Sequence, residues 1–250
     1  MEIWAQNRLS TYFRERRHTA LLIAIVVAFA IRPVIGDSDD ASNVFSLAML
    51  ALMLVALYTI HVDDLIGERE ALLTRRRRQS IIGWTLATLA IAERLTLIIS
   101  PSFQLLVAGS IGWLVFFSFV TWSQLRSLLI QRKVTGETIS LSISVYLLLG
   151  MCWALLYILI FLRRPEAFSF GGSPDVGAQL AAHPEHSFPI FIYFSLTTLS
   201  TIGFGDITPV TLQARYSAVA EGITGQFYLA ILVARLVGMQ MSGAGRSGPE

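Results

Sequence analysis

Thr197-Thr198-Leu199-Ser200-Thr201-Ile202-Gly203-Phe204-Gly205-Asp206 is the stretch on which the reading of this chain turns. Two glycines stand at alternate positions, and glycine enters the φ > 0 region without steric penalty. Just before them lies a short apolar piece, Ser187–Ser200, and after them a much longer one, Ala214–Met239. The short piece cannot cross a bilayer, because a crossing helix needs about 20 apolar residues. A half-helix followed by a glycine turn at membrane depth is stable only where protein or a water-filled cavity surrounds it.

The rest of the chain supplies that membrane setting. It is 54% hydrophobic and only 14% charged, with a mean hydropathy of +0.62, whereas a soluble domain carries about 25% charged residues. Six stretches have the length and apolarity of a span: Thr19–Ile35, Ala41–Val62, Ser80–Ser100, Phe103–Gln124, Thr138–Leu162 and Ala214–Met239. The expected fold is therefore an all-α membrane protein of six transmembrane helices plus a re-entrant pore helix and loop. Basic residues cluster in the N-terminal tail (Arg8, Arg14, Arg16, Arg17), the second-to-third loop (Arg69, Arg75–Arg78) and the fourth-to-fifth loop (Arg126, Arg132, Lys133). Arg32, Arg163 and Arg164 are the few on the other side, so both termini are expected in the cytoplasm and the protein in the plasma membrane. Arg14–Arg17 followed by Ala20–Ala30 imitates a signal peptide, but the apolar run continues to Ile35, and an uncleaved first span is expected.

The expected organisation is a cytoplasmic tail at 1–18, a four-helix peripheral domain at 19–133, a pore domain at 134–239 and a second tail at 240–250. Within the pore domain the outer helix occupies 138–162, a turret 163–186, the pore helix 187–200, the filter 201–206 and the inner helix 214–239. Ser187 is the expected N-cap of the pore helix, with Pro189 in its first turn. The negative end of that helix dipole would lie near Leu199 and Ser200 and favour a cation below the filter.

A bare cation at that depth must exchange its water for closely spaced oxygens that hold it only weakly. An ordinary strand points successive carbonyls to opposite sides; alternating right- and left-handed residues turn them to one side, as Gly203 and Gly205 permit. One such loop offers one oxygen per layer, so a full coordination shell requires four copies in closed symmetry. Thr201 adds a hydroxyl at the inner end and Asp206 a charge at the outer end.

The run Thr201-Ile202-Gly203-Phe204-Gly205-Asp206 resembles the potassium-channel signature Thr-Val-Gly-Tyr-Gly-Asp, with two substitutions. The resemblance covers about Thr138–Met239 and includes Gly225-Gln226-Phe227-Tyr228-Leu229-Ala230, similar to small prokaryotic members. It implies a homotetrameric, passive, potassium-selective channel. Carbonyls of Thr201, Ile202, Gly203 and Phe204 and the Thr201 hydroxyl would bind K+, with no other cofactor. Phe204 lacks the hydroxyl of the family's usual tyrosine, which implies a softer filter unless Tyr193 or Phe194 compensates by packing. Alternatives are a weakly selective cation channel and a non-conducting regulatory subunit. No nucleophile–base pair or metal-ligand cluster suggests an enzyme, and nothing suggests a nucleic-acid partner.

Gly225 occupies the family's hinge position, and Gly222 and Gly225 would equally serve as helix-packing contacts. Gln226, Leu229, Val233 and Val237 share one helical face, the expected cavity wall and gate. Glu221 should face away from that cavity, towards the hydroxyls of Thr197 or Thr198, as a support of the filter. Phe103–Gln124 contains no Lys or Arg, so voltage sensing is not expected. Arg75–Arg78 would suit anionic lipid headgroups as well as set topology. Glu93, Arg94 and Arg32 are intramembrane charges read as structural pairs, His183 and His186 as exposed turret residues, and Cys152 as a packed thiol.

Overall fold

The computed structural model describes residues 16–36, 39–65, 81, 83–85, 88, 91–92, 103–131, 134–171 and 174–244. Its helices are α1 (Arg17–Ile35), α2 (Asp39–Leu65), α3 (Phe103–Ile130), α4 (Gly136–Arg163), α5 (Pro174–Ala182), α6 (Ser187–Leu199) and α7 (Leu212–Ala244). Two short strands, β1 (Phe168–Phe170) and β2 (Ile207–Pro209), pair antiparallel with Ser169 opposite Thr208. Among the described residues, three helices are long and apolar enough to cross a membrane: Phe103–Ile130, Gly136–Arg163 and Leu212–Met241. Arg17–Ile31, Leu47–Ile60 and Ser187–Leu199 are apolar but shorter. The expected third span, Ser80–Ser100, falls largely outside the described residues, as do Glu93, Arg94, Arg75–Arg78 and the Arg32 side chain.

The chain divides into two compact units. The first comprises 1–87, 119–145 and 242–250. Its core is a helix pair. α2 buries Met49, Leu52, Met53, Ala56, Leu57 and Ile60, an i, i+3, i+4 stripe, and α1 buries Leu21, Ile25 and Ala28. The N-terminus of α1 has donors without intrahelical partners. The Glu137 carboxylate takes the backbone N–H of His18 at 2.9 Å and of Thr19 at 3.4 Å, and accepts the Thr19 hydroxyl as well. A carboxylate there also faces the positive end of the helix dipole. Deeper in the unit, the buried Gln124 amide donates to the Thr59 hydroxyl at 2.6 Å.

The second unit comprises 88–118 and 146–241. Its core is aromatic. Tyr157 and Phe161 of α4, Phe168 of β1, and Phe191 and Phe194 of α6 meet edge-on or tilted, with centroids 4.9 Å apart for Tyr157–Phe194 and 5.0 Å for Phe168–Phe191. Such pairs add about 0.5–1.5 kcal/mol each beyond area burial. α6, α4 and β1 are thereby joined by ring packing. The expected turret, 163–186, is more structured than a loop: it holds β1, α5 and two 3-10 turns.

Candidate ion-conduction site

The 3-10 turn Pro184–His186 runs straight into α6. Ser187 is therefore not the N-cap expected from sequence. Its backbone is already helical (φ −71°, ψ −28°), its N–H bonds to the Pro184 carbonyl, and His186 takes the cap position without a side-chain bond. Proline pre-sets φ for the turn, which moves the helical conformation upstream of the serine.

At its other end α6 leads into Thr201–Asp206, the segment expected to form the filter. Thr201 has φ 60°, Gly203 55° and Gly205 80°, so left-handed residues occur at every second position. Sequence reasoning anticipated the two glycines; Thr201, a β-branched residue in that region, it did not. The first three backbone donors of this stretch turn to α6. Thr201 N–H bonds to the Thr198 carbonyl at 3.0 Å, and the N–H groups of Ile202 and Gly203 share the Thr197 carbonyl at 2.9 and 3.1 Å. With the donors drawn to one side, an alternating backbone leaves the carbonyls for the other. All six residues from Thr201 to Asp206 are exposed in the single chain, Ile202 at 58% and Phe204 at 68%.

The outer end of the filter is tied twice. The Tyr193 hydroxyl donates to an Asp206 carboxylate oxygen at 2.8 Å, a bond that holds the phenol's pKa above its ordinary value. Tyr193 also lies parallel to the Phe204 ring, 6.3 Å between centroids and 1° between planes, so Phe204 has an aromatic neighbour within its own chain. From the turret, the Gly171 N–H donates to the Asp206 carbonyl at 2.6 Å. A Cβ on Gly171 would lie 3.1 Å from that carbonyl oxygen, so the approach is close enough to favour glycine. Beyond it, β2 continues from the filter and pairs with β1.

Below the filter, Gln226 extends its amide to within 3.5 Å of the Thr201 hydroxyl, the far end of hydrogen-bond range. Leu229, Val233 and Val237 follow on α7 and are exposed in the single chain. Gly225 is buried, and a Cβ there would overlap the Leu199 carbonyl oxygen. Gly222 is looser, with the Thr198 carbonyl 3.9 Å from such a Cβ. α7 thus packs more tightly against the end of α6 at Gly225 than at Gly222.

Glu221 is fully buried on the opposite side of α7 from exposed Gln226, but its partners are not the ones expected. The hydroxyls of Thr197 and Thr198 both bond back to the Phe194 carbonyl, at 2.9 and 2.8 Å, and so are occupied within their own helix. Glu221 instead meets Tyr157 at 2.5 Å and the Ser195 hydroxyl. Thr197 supports the filter through its backbone carbonyl rather than its side chain. Tyr157, Gly150, Gly171 and β1 were missed from sequence; an isolated Gly150 inside an apolar span was the one available signal. Among the described residues, His183 and His186 are neighbours, ring centroids 6.1 Å apart, and no group of three or more metal-type ligands occurs.

No curated protein and no solved structure matches the chain. Residues 147–241, which contain most of the outer helix, the turret, α6, the filter and most of α7, match the family model described as "Ion channel". The match spans less than half of the chain and supports, for that part of it, an ion-channel family in a helical membrane protein.

Proposed function

We propose that the chain is one subunit of a homotetrameric potassium channel that conducts passively through filters formed by Thr201–Asp206. The observation that carries this reading is the alternation of left-handed residues at 201, 203 and 205, with the N–H groups of Thr201, Ile202 and Gly203 bound to the carbonyls of Thr198 and Thr197. Four such filters would present rings of carbonyl oxygens at Thr201, Ile202, Gly203 and Phe204 that replace the water shell of K+. In this reading six spans cross the cell membrane with both termini cytoplasmic, and anionic lipid meets Arg75–Arg78. Voltage does not drive opening, because the only basic residue in α3 is Arg126, near its C-terminal end. Moving one charge through the field contributes about 2.3 kcal/mol per 100 mV, so a voltage sensor needs several.

The test is recording from purified protein in planar bilayers with mixed potassium and sodium. A reversal potential near that of potassium and conductance that changes little with voltage are expected. A reversal potential midway between the two ions would support weakly selective cation conduction, and no current from active reconstitutions would point to a regulatory subunit. Steep activation equivalent to several elementary charges would overturn the voltage-independent reading.

A further inference from the structure

Conduction through the filter makes no direct use of a carboxyl buried behind it. Glu221 is 0% exposed, and among the described residues its hydrogen-bond partners are hydroxyls alone. Oε2 lies 2.5 Å from the Tyr157 hydroxyl of α4. Oε1 meets the Ser195 hydroxyl of α6, and the same Ser195 oxygen lies 2.8 Å from the Gly150 carbonyl of α4. A further phenol among the described residues, Tyr146 of α4, interacts with it electrostatically, and the Tyr146 ring packs 5.7 Å from that of Tyr228 on α7.

The hydrogens can be counted. Three contacts join these groups, but a hydroxyl supplies one hydrogen, so Ser195 and Tyr157 supply two. Were the carboxyl ionised, it would compete with the Gly150 carbonyl for the single Ser195 hydrogen, and it would be a buried charge without a cation partner. A hydrogen on the carboxyl resolves both problems. The acid then donates to Ser195, Ser195 donates to Gly150, and Tyr157 donates to the acid.

The relay sits where it can set the filter. Ser195 lies two residues before Thr197, whose carbonyl holds the N–H groups of Ile202 and Gly203. Gly150 lets α6 come this close to α4: a Cβ there would stand 2.9 Å from Leu196 Cδ2 and 3.5 Å from Ser195 Oγ. We propose that Glu221 is a positioning residue that acts as a neutral carboxylic acid. Its relay through Ser195 to Gly150, with Tyr157 on its second oxygen, locks the pore helix between outer and inner helices and fixes the geometry of the filter. The proposal rests on the channel reading above.

The test uses the full chain reconstituted as the assembled channel, with the rate of current loss when external potassium is lowered as the readout. Glutamine reproduces a neutral acid, its amide N–H₂ donating to Ser195 and its oxygen accepting from Tyr157. Glu221→Gln should therefore stay within about twofold of the parent, whereas Glu221→Ala and Ser195→Ala should lose current about tenfold faster, with raised potassium restoring it. A merely structural defect would not be relieved by the permeant ion. The parent should also show the infrared carbonyl band of a neutral carboxyl, absent from Glu221→Gln. If Glu221→Ala does not assemble, Tyr157→Phe, which removes one hydroxyl from an unchanged ring, should speed the loss by about threefold. Parental potassium dependence in Ser195→Ala and Tyr157→Phe would overturn the positioning role. A Glu221→Gln channel as impaired as Glu221→Ala, or a missing infrared band, would overturn the neutral acid. A parent that fails to discriminate potassium from sodium would sink the channel reading instead, and the infrared result would still stand by itself.

Discussion

Thr201 holds a left-handed backbone that a β-branched side chain resists, at a cost of about 1–3 kcal/mol. Three backbone bonds to Thr197 and Thr198 oppose that cost, each contributing about 1 kcal/mol net. These magnitudes are close, so the filter's inner half is held by a narrow margin and its outer anchors matter. Tyr193 provides one of them through Asp206 and through its parallel stack on Phe204. Phenylalanine at 193 keeps the ring and removes only the hydroxyl. Tyr193→Phe is expected to conduct like the parent in high potassium and to lose current about fivefold faster in low potassium. Macroscopic recording during a step in external potassium checks this, and unchanged kinetics would show that Asp206 is held well enough by Gly171 and β2 alone.

The pore helix α6 is approached closely at two glycines, Gly150 of α4 near Leu196 and Gly225 of α7 near Leu199. Gly225 would serve equally as a hinge or as a packing contact by sequence, but these have different consequences once its neighbour is known. A methyl group there meets backbone, not the flexible end of a side chain, so α7 must move back from the helix that carries the filter. Overpacking of this kind costs about 1–3 kcal/mol per site. Gly225→Ala should accordingly lower the thermal stability of the assembled protein by several degrees and reduce potassium occupancy. A hinge role would predict altered opening with unaltered stability, and a melting curve with bound potassium distinguishes the two. The helices α1, α2, α3, α4, α6 and α7 were readable because each is an apolar run, α6 being the short one. β1 and β2 were not, since Phe168-Ser169-Phe170 and Ile207-Thr208-Pro209 are too short for alternation to register. Helical spacing correctly turned Glu221 away from Gln226, yet spacing says nothing of which hydroxyl waits opposite. That depended on Thr197 and Thr198 bonding back to Phe194 while Ser195 faced Gly150.

A single chain leaves the filter and much of α7 uncovered: Ile202, Phe204, Tyr216, Val219, Ile223, Phe227, Val233 and Val237 are all exposed. Part of that apolar surface suits lipid, but the filter residues do not belong in lipid, because their backbone oxygens would be unsatisfied there. In the proposed tetramer, closed symmetry with three further copies would cover them and complete each ring of oxygens. The number of copies can be read without a structure of the assembly. Gly203→Ala places a side chain on a residue at φ +55°, where L residues are strained. One such subunit distorts every ring to which it contributes, so the variant alone should not conduct. Mixed with the parent in equal amounts, random assembly into tetramers leaves about one-sixteenth of the channels free of the variant, against about one-quarter for dimers. Potassium flux into liposomes from co-expressed, purified mixtures should therefore fall to about 6% of the parent's at a one-to-one ratio, and along the fourth power of the parent fraction at other ratios. A linear fall would mean that each chain conducts alone or that one altered loop is tolerated in the ring. A second-power fall would mean two chains per pore, and the four-copy filter would have to be abandoned.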